Sequence, residues 1–252
     1  MKLIYSRIRE RALQIVSSYP SPDFYQDHFP SNELSRQYLQ TNPFTVQLRT
    51  LVAKKLKDDF GHGLDHAVKV AIDAGTLMII ENKLAGSSND FINRRVIIVQ
   101  CAALLHDIKR KQENHAVKGA AYARKVLKEY PFDTDEIEDI CLAIRNHEAF
   151  KSTEKSNSLD GLLVSDCLYD ADKFRWGPDN FSDTVWTMAS FFKVPVMKFM
   201  ELYPDGMKKI SKIKETFRTD TGKKYGPQFI DIGLSIGEEL FDVIHTEFAD
   251  LL

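Results

Sequence analysis

The segment from Val96 to Leu105 is apolar at every position except Gln100. A helix that is apolar on nearly all sides is buried on all sides, so this segment predicts a central helix packed among other elements. It is followed directly by His106 and Asp107. Because a buried carboxylate without a partner is strongly destabilising, the sequence predicts a cation beside Asp107.

Helical spacing continues on both sides of this segment. Apolar positions over residues 65–81 follow the helical period and place His66 on the inward face. We expect a further helix over residues 115–130, followed by one that begins near Asp133 and carries His147 inward. The capping residue of that last helix is Asp133 or Thr134, since Glu136 lies three positions beyond Asp133 as in a capping box.

The ends of the chain also predict helices. Towards the N-terminus we expect a helix over residues 5–17, a loop over 19–32, and helical structure over 33–57 with a break near Pro43. Towards the C-terminus we expect helices over 183–203, broken at Pro195, and over 229–252, separated by a glycine- and proline-containing stretch at 221–227. No alternating strand pattern and no internal repeat is found, so the predicted fold class is all-α.

Composition limits the location and the partners. The 34 basic residues nearly balance the 36 acidic ones, which argues against binding of duplex nucleic acid or of a membrane surface. Cys101, Cys141 and Cys167 lie in apolar stretches without CxxC pairing, which favours reduced thiols. Charged residues interrupt the N-terminal apolar positions, unlike a signal peptide, and no run reaches membrane-spanning length. We therefore expect a cytoplasmic protein.

Five of the seven histidines and two aspartates form one ordered series along the chain. The members of this series are His62, His66, His106, Asp107, His115, His147 and Asp172. Imidazole and carboxylate suit borderline-hard divalent metals, and four histidines with two aspartates could hold two ions that share one carboxylate. At the last position three acids compete for the role, namely Asp166, Asp170 and Asp172.

Three motifs carry a resemblance to a known family. HGLDHAVKVA, AALLHDI and DADKF resemble the H…HD…D signature of the HD-domain superfamily, whose members are mostly metal-dependent phosphohydrolases built on a helical bundle. The resemblance covers residues 55–180. It implies an HD-type metal-binding core there, an N-terminal helical extension over 1–54, and C-terminal helices over 181–252 packed on the core, together forming one compact domain.

The resemblance also implies a ligand set. His66, His106, Asp107 and Asp172 would hold a first divalent ion, and Asp172 is preferred over Asp170 because the family's ligand follows a small residue. A second ion would be held by His115 and His147 with Asp107 as the bridging ligand, whereas His62 is expected in a loop. The cofactor would be one or two ions of Mn, Fe, Co, Ni, Zn or Mg.

The chain departs from the HD-GYP subgroup, which cleaves cyclic dinucleotides. Lys109 and Arg110 follow the HDI motif where that subgroup has a glycine, and no Gly-Tyr-Pro motif is present. His147 follows Asn146 rather than a second histidine. We therefore do not expect a cyclic dinucleotide as the substrate.

The predicted chemistry is hydrolysis of a phosphate ester. A divalent ion lowers the pKa of bound water from about 15.7 towards about 7 and polarises a phosphoryl oxygen. Lys109 and Lys173 are the predicted phosphate contacts, because both lie next to ligand positions. Asp65 or Glu148 could orient a ligand imidazole or donate a proton to the leaving oxygen. The expected function is a phosphomonoesterase, nucleotidase or phosphodiesterase that acts on a small phosphorylated metabolite or nucleotide.

Two other classes of function stay open at this point. Some HD-domain proteins with the same six-ligand arrangement bind mixed-valent di-iron and act as oxygenases. The chain could also be a catalytically idle, metal-bound module whose terminal helices engage a partner.

Overall fold

A computed structural model describes residues 2–56 and 63–249 of the chain. These residues form α-helices joined by turns and contain no β-strand, as the sequence predicts. The helices are Lys2–Ser18 (α1), Asp23–Asp27 (α2), Phe29–Thr41 (α3), Pro43–Lys55 (α4), Leu64–Leu84 (α5), Asn89–Leu105 (α6), His115–Leu127 (α7), Thr134–Arg145 (α8), Leu159–Phe174 (α9), Val185–Phe191 (α10), Val196–Ser211 (α11) and Asp220–Glu247 (α12). A π-helical turn spans Asn180–Thr184 and a 3₁₀ turn spans Lys212–Glu215. None of the helices in the described ranges is long and apolar enough to cross a bilayer.

Helix α6 is the buried centre of the fold, as the apolar run predicts. It packs against α4, α5, α8 and α9, and every residue from Val96 to Leu105 is buried. The one polar residue in the run, Gln100, donates a hydrogen bond to the Ser35 carbonyl oxygen at 2.8 Å. Burial of this amide is therefore compensated in part by a partner on α3. The three cysteines are buried and free, as expected.

Helices α7, α8 and α9 pack in sequence beside α6. The predicted capping box at the start of α8 is confirmed, with Asp133 as the capping residue. The Asp133 carboxylate accepts from the Glu136 backbone N–H at 2.8 Å, and the Glu136 carboxylate accepts from the Asp133 N–H at 3.0 Å. The start of α8 is thereby fixed, which sets where its C-terminal end presents His147.

The loop predicted over residues 19–32 is wrong, because this segment contains α2 and the start of α3. The side chain of Phe24 is fully buried and lies edge-on to the rings of Phe174 and Phe229, at 5.1 Å and 6.0 Å between centroids. Burial of an aromatic ring stabilises the short helix in a way that local proline and serine signals do not reveal.

In the C-terminal region, the predicted break at Pro195 is confirmed and the predicted separator over 221–227 is wrong. The chain breaks at Pro195, which precedes α11, as predicted. The expected separator over 221–227 is absent, because α12 runs through Pro227 without interruption. The glycines in that stretch permit close packing: a Cβ at Gly222 would overlap the Asp170 carboxylate, and one at Gly226 would overlap the Phe217 ring. Gly222 and Gly226 therefore allow close packing within a continuous helix and do not end it.

Candidate metal centre

Five consecutive helices bring six of the series residues together. His66 lies in the first turn of α5, His106 and Asp107 follow α6, and Asp172 lies near the end of α9. The other two, His115 and His147, lie at the start of α7 and just after α8. Each of the six is at most 9% exposed. The seventh member, His62, lies outside the described residues.

Local backbone geometry places the histidine of α7. Asn114 precedes that helix in the left-handed region, with φ of 54°. Asparagine tolerates this conformation better than most residues. The turn between Asp107 and α7 therefore ends with His115 directed back towards the aspartate, and the two side chains approach to 3.4 Å between His115 Nε2 and Asp107 Oδ1.

The first group of side chains surrounds a point between α5, α6 and α9. The Nε2 atoms of His66 and His106 lie 3.3 Å apart. Asp172 Oδ1 lies 3.2 Å from Nε2 of His66 and 3.7 Å from Nε2 of His106. Asp107 Oδ2 lies 3.6 Å from Nε2 of His106. Two imidazoles and two carboxylates thus converge in one buried place.

The second group uses the other oxygen of the same aspartate. Asp107 Oδ1 lies 3.4 Å from Nε2 of His115 and 3.5 Å from Nε2 of His147. These two Nε2 atoms are 3.2 Å apart. Asp107 therefore lies between the two groups and presents one carboxylate oxygen to each.

The hydrogen bonds of the ring nitrogens show which atoms are free to bind a cation. The Nδ1 atoms of His106 and His147 lie 2.6 Å from the carbonyl oxygens of Ala103 and Ile144. A carbonyl only accepts, so each Nδ1 carries the proton and each Nε2 presents a lone pair to the site. Lone pairs and carboxylates that converge in this way repel one another unless a cation lies between them. The donor set therefore fits divalent metal ions.

Burial and neighbouring charges favour the metal-binding protonation states. Burial lowers the pKa of His106 to about 4, although Asp107 and Asp172 oppose the shift, so this imidazole is neutral at neutral pH. Burial alone would raise the pKa of Asp172. The charge of Lys173, together with the two nearby histidines, outweighs burial and holds that pKa well below its ordinary value.

A cavity of about 340 Å³ opens beside the two groups. One part of its lining comes from the two donor groups, namely His66, Asp107, His147 and Asp172. Four basic side chains line it as well, namely Arg110, Lys173, Arg175 and Lys209. The remaining lining includes Glu148, Phe150, Trp176 and residues of the segment 180–188. The arrangement places a water-accessible, cation-rich space next to the buried donors.

The structure brings two of the predicted catalytic residues to this space. Lys173 lines the cavity, is buried, and donates to the Asp172 carboxylate. Glu148 also lines the cavity, and its Oε1 lies 4.0 Å from Nδ1 of His115. This distance is longer than a hydrogen bond, so any effect of Glu148 on that imidazole is electrostatic.

Two other predicted residues, Lys109 and Asp65, lie away from this space. Lys109 is not part of the cavity lining, and its ammonium lies over the Tyr122 ring, 4.6 Å from the centroid. Asp65 has a 78% exposed side chain and pairs with Lys69 at 3.2 Å. Adjacent residues of a helix point in different directions. Because His66 faces inward, the preceding residue, Asp65, faces solvent.

The three acids of α9 that the sequence offers as ligands have different partners. Asp170 accepts hydrogen bonds from the backbone N–H groups of Arg218 and Thr219, at 2.9 Å and 2.8 Å, and so anchors the start of α12. Asp166 lies 3.8 Å from the Arg218 guanidinium. Asp172 is the acid of this helix that the structure places beside His66.

Sequence reasoning missed Lys209 and the residues of the segment 180–188. They lie outside the motifs, and no local pattern distinguishes Lys209 from the other lysines of its amphipathic helix. Only the packing of the chain brings α10 and α11 to the cavity.

The fold and the site define an all-helical protein with buried histidine and aspartate groups that could hold metal. Residues 63–177, a little under half of the chain, match the family model described as HD domain. At the level of that superfamily, the match and the donor set support a metal-dependent hydrolase.

Comparison with solved structures finds a protein described as a predicted HD superfamily hydrolase from an uncultured Thermotogales bacterium. It is 24% identical to this chain, and the alignment covers 85% of this chain and 94% of that chain with a TM-score of 0.44. No curated protein matches the chain.

Proposed function

We propose that the chain is a metal-dependent phosphohydrolase that acts on a small phosphorylated metabolite or nucleotide. One observation carries this proposal: Asp107 presents its two oxygens to two buried histidine groups beside a cavity lined by four basic side chains. The donors suit hard and borderline divalent ions, and the basic side chains suit an anionic substrate.

The proposed first ion is held by His66, His106, Asp107 and Asp172, and the proposed second by Asp107, His115 and His147. When bound, divalent ions lower the pKa of water and polarise a phosphoryl oxygen. The backbone carbonyls behind His106 and His147 hold both rings in the tautomer that binds a metal.

The side chains around the proposed ions would bind and orient the substrate. Arg110 and Lys173 lie next to the metal groups and are the proposed phosphate contacts. Glu148 lines the same cavity and is the proposed proton donor to the leaving oxygen. The aromatic side chains of Phe150 and Trp176 also line this space. A cytoplasmic location remains a prediction.

The test of this function combines metal analysis with a substrate panel. Protein purified without chelators is expected to contain a divalent metal. After loading with Mn²⁺, Co²⁺, Ni²⁺, Fe²⁺ or Mg²⁺, it should release phosphate from at least one member of a panel of phosphate esters and nucleotides. Protein stripped with a chelator is the control, and adding the metal back should restore release.

Two outcomes would contradict the proposed hydrolysis. Absence of turnover under every metal would favour an idle, metal-bound module. An EPR signal from a coupled Fe(II)/Fe(III) pair, together with substrate-dependent O₂ uptake, would favour an oxygenase.

Substitution of His115 by glutamine tests whether the second group holds an ion. We expect bound metal to fall from about two ions per chain to about one, because the second group loses one of its three donors and the first group keeps all of its own. Elemental analysis of the purified variant measures this directly. His245→Gln is the matched control, since His245 is exposed on α12. Equal metal content in His115→Gln and the natural protein would assign His115 a role other than metal binding.

A further inference from the structure

One wall of the cavity comes from outside the segment that matches the HD domain model. Asn180, Thr184, Met188 and Lys209 line it, and all four lie beyond residue 177, where the family match ends. The proposed metal ligands lie on α5 to α9 and the turns that follow these helices. This wall is therefore separate from the elements that carry the proposed metal ligands.

Two of the four cavity cations donate hydrogen bonds to carboxylates within the protein. Lys173 donates to the Asp172 carboxylate. Arg175 donates to both Asp73 and Asp179 and lies deep in the fold, with 8% exposure. Much of the charge of these two residues is thus compensated before any substrate binds.

The other two cations differ in position. Arg110 lies at the metal end, with Nη1 3.8 Å from Asp107 Oδ1 and 3.1 Å from His115 Nε2. Lys209 comes from α11, on the other wall. Within the described ranges, no carboxylate forms an ion pair with Lys209, in contrast to Lys208, which pairs with Asp205 at 3.2 Å.

The size of the cavity limits the size of the ligand. The cavity volume of about 340 Å³ is near the lower end for small-molecule sites, which favours a compact ligand.

We propose that Lys209 is a specificity-determining residue, and that the substrate carries a second anionic group in addition to the phosphate that reacts. This inference rests on the proposed phosphohydrolase function. The phosphate occupies the metal end near Arg110, and the second group, a carboxylate or another phosphate, meets the ammonium of Lys209. The substrate class is therefore a small, doubly anionic phosphate ester.

Ligand binding to the full-length, Mn²⁺-loaded chain tests the inference without turnover. The probes are 3-phosphonopropionate and propylphosphonate, which have similar length and differ in the carboxylate. Trp176 lines the cavity, and the second tryptophan of the chain, Trp186, is buried, so quenching of Trp176 fluorescence can report binding. We expect the natural protein to bind 3-phosphonopropionate about tenfold more tightly, a typical gain for a charge-assisted contact.

Lys209→Gln should reduce this preference to about twofold or less while leaving the affinity for propylphosphonate unchanged, because only the contact with the carboxylate is lost. Lys209→Arg should retain most of the preference. The matched control is Lys208→Gln, which removes the same charge from the neighbouring position outside the cavity lining. Measurements at about 0.15 M salt screen the long-range effect of either change.

Three results would overturn the inference: equal affinity of the natural protein for the two probes, no binding of either probe, or the same loss of preference in Lys208→Gln and Lys209→Gln. Its failure is distinguishable from failure of the proposed function. A protein that hydrolyses phosphate esters but lacks the preference refutes only the role of Lys209. A protein that has the preference but hydrolyses no phosphate ester refutes only the hydrolysis.

Discussion

Replacement of Asp107 by asparagine is expected to abolish binding of both metal ions. It should also reduce phosphate release by about 10³-fold or more, because both metal groups depend on this residue. Asp107 presents one oxygen to His106 and the other to His115 and His147. An amide has nearly the same shape, but it carries no charge and offers one oxygen in place of two. Elemental analysis and a phosphate-release assay on the variant measure the two effects.

The control for this substitution is Asp166→Asn. Asp166 is an acid of α9 that lies 3.8 Å from Arg218 and belongs to neither metal group. The Asp166→Asn variant should retain both ions. Asp172→Asn provides an intermediate case, because Asp172 faces the first group alone, and we expect it to weaken one ion and to spare the other. If Asp107→Asn retains two ions and full turnover, a shared carboxylate is not the basis of the site.

The sequence could predict most of the metal groups because their residues follow strong local patterns. The apolar run of α6 identifies a buried helix, and a carboxylate directly after such a helix needs a partner. His66 lies on the inward face of an amphipathic pattern, and the cap at Asp133 marks the start of the helix that leads to His147. These signals depend only on neighbours along the chain.

The cavity lining could not be predicted in the same way. Lys109 and Arg110 are adjacent in sequence, and the conformation of the turn after Asp107 decides which of them reaches the cavity; it is Arg110. Lys209 lies on a helix far from every motif. Where a turn separates two elements, residues that are close along the chain need not be close in space. The prediction for Lys109 relied on its closeness along the chain to Asp107.

Glycine and proline misled the assignment of the C-terminal elements for a related reason. As local signals they mark a break, and at Pro195 a break occurs. In α12 the close approach of Gly222 to Asp170 and of Gly226 to Phe217 requires residues without a Cβ. Tertiary packing therefore explains why these glycines lie within a continuous helix, which no propensity rule for a single segment can reveal.

Arg175→Met is expected to destabilise the fold by about 3–5 kcal/mol, because it leaves Asp73 as a buried carboxylate without its cation. Arg175 donates to Asp73 and to the Tyr25 hydroxyl and so connects α9 with α5 and the N-terminal helices. For a chain of this size the change corresponds to a fall of about 10 °C in Tm. Urea and thermal unfolding measure it. Lys69→Met is the control, since this half-exposed lysine pairs with Asp179 at 3.3 Å and should contribute about 1 kcal/mol or less.

The pH dependence of the Arg175→Met deficit separates loss of charge compensation from loss of packing. Burial already raises the pKa of Asp73, an effect that Arg175 opposes, so removing the guanidinium should raise this pKa further. A carboxyl whose pKa is higher in the folded state binds more protons when folded, and stability then decreases as pH rises. The deficit should therefore be smaller at about pH 5 than at about pH 8. The double variant Arg175→Met with Asp73→Leu should recover part of the loss at the higher pH, because no buried charge remains. A deficit that is independent of pH and unchanged in the double variant would assign the role of Arg175 to packing alone.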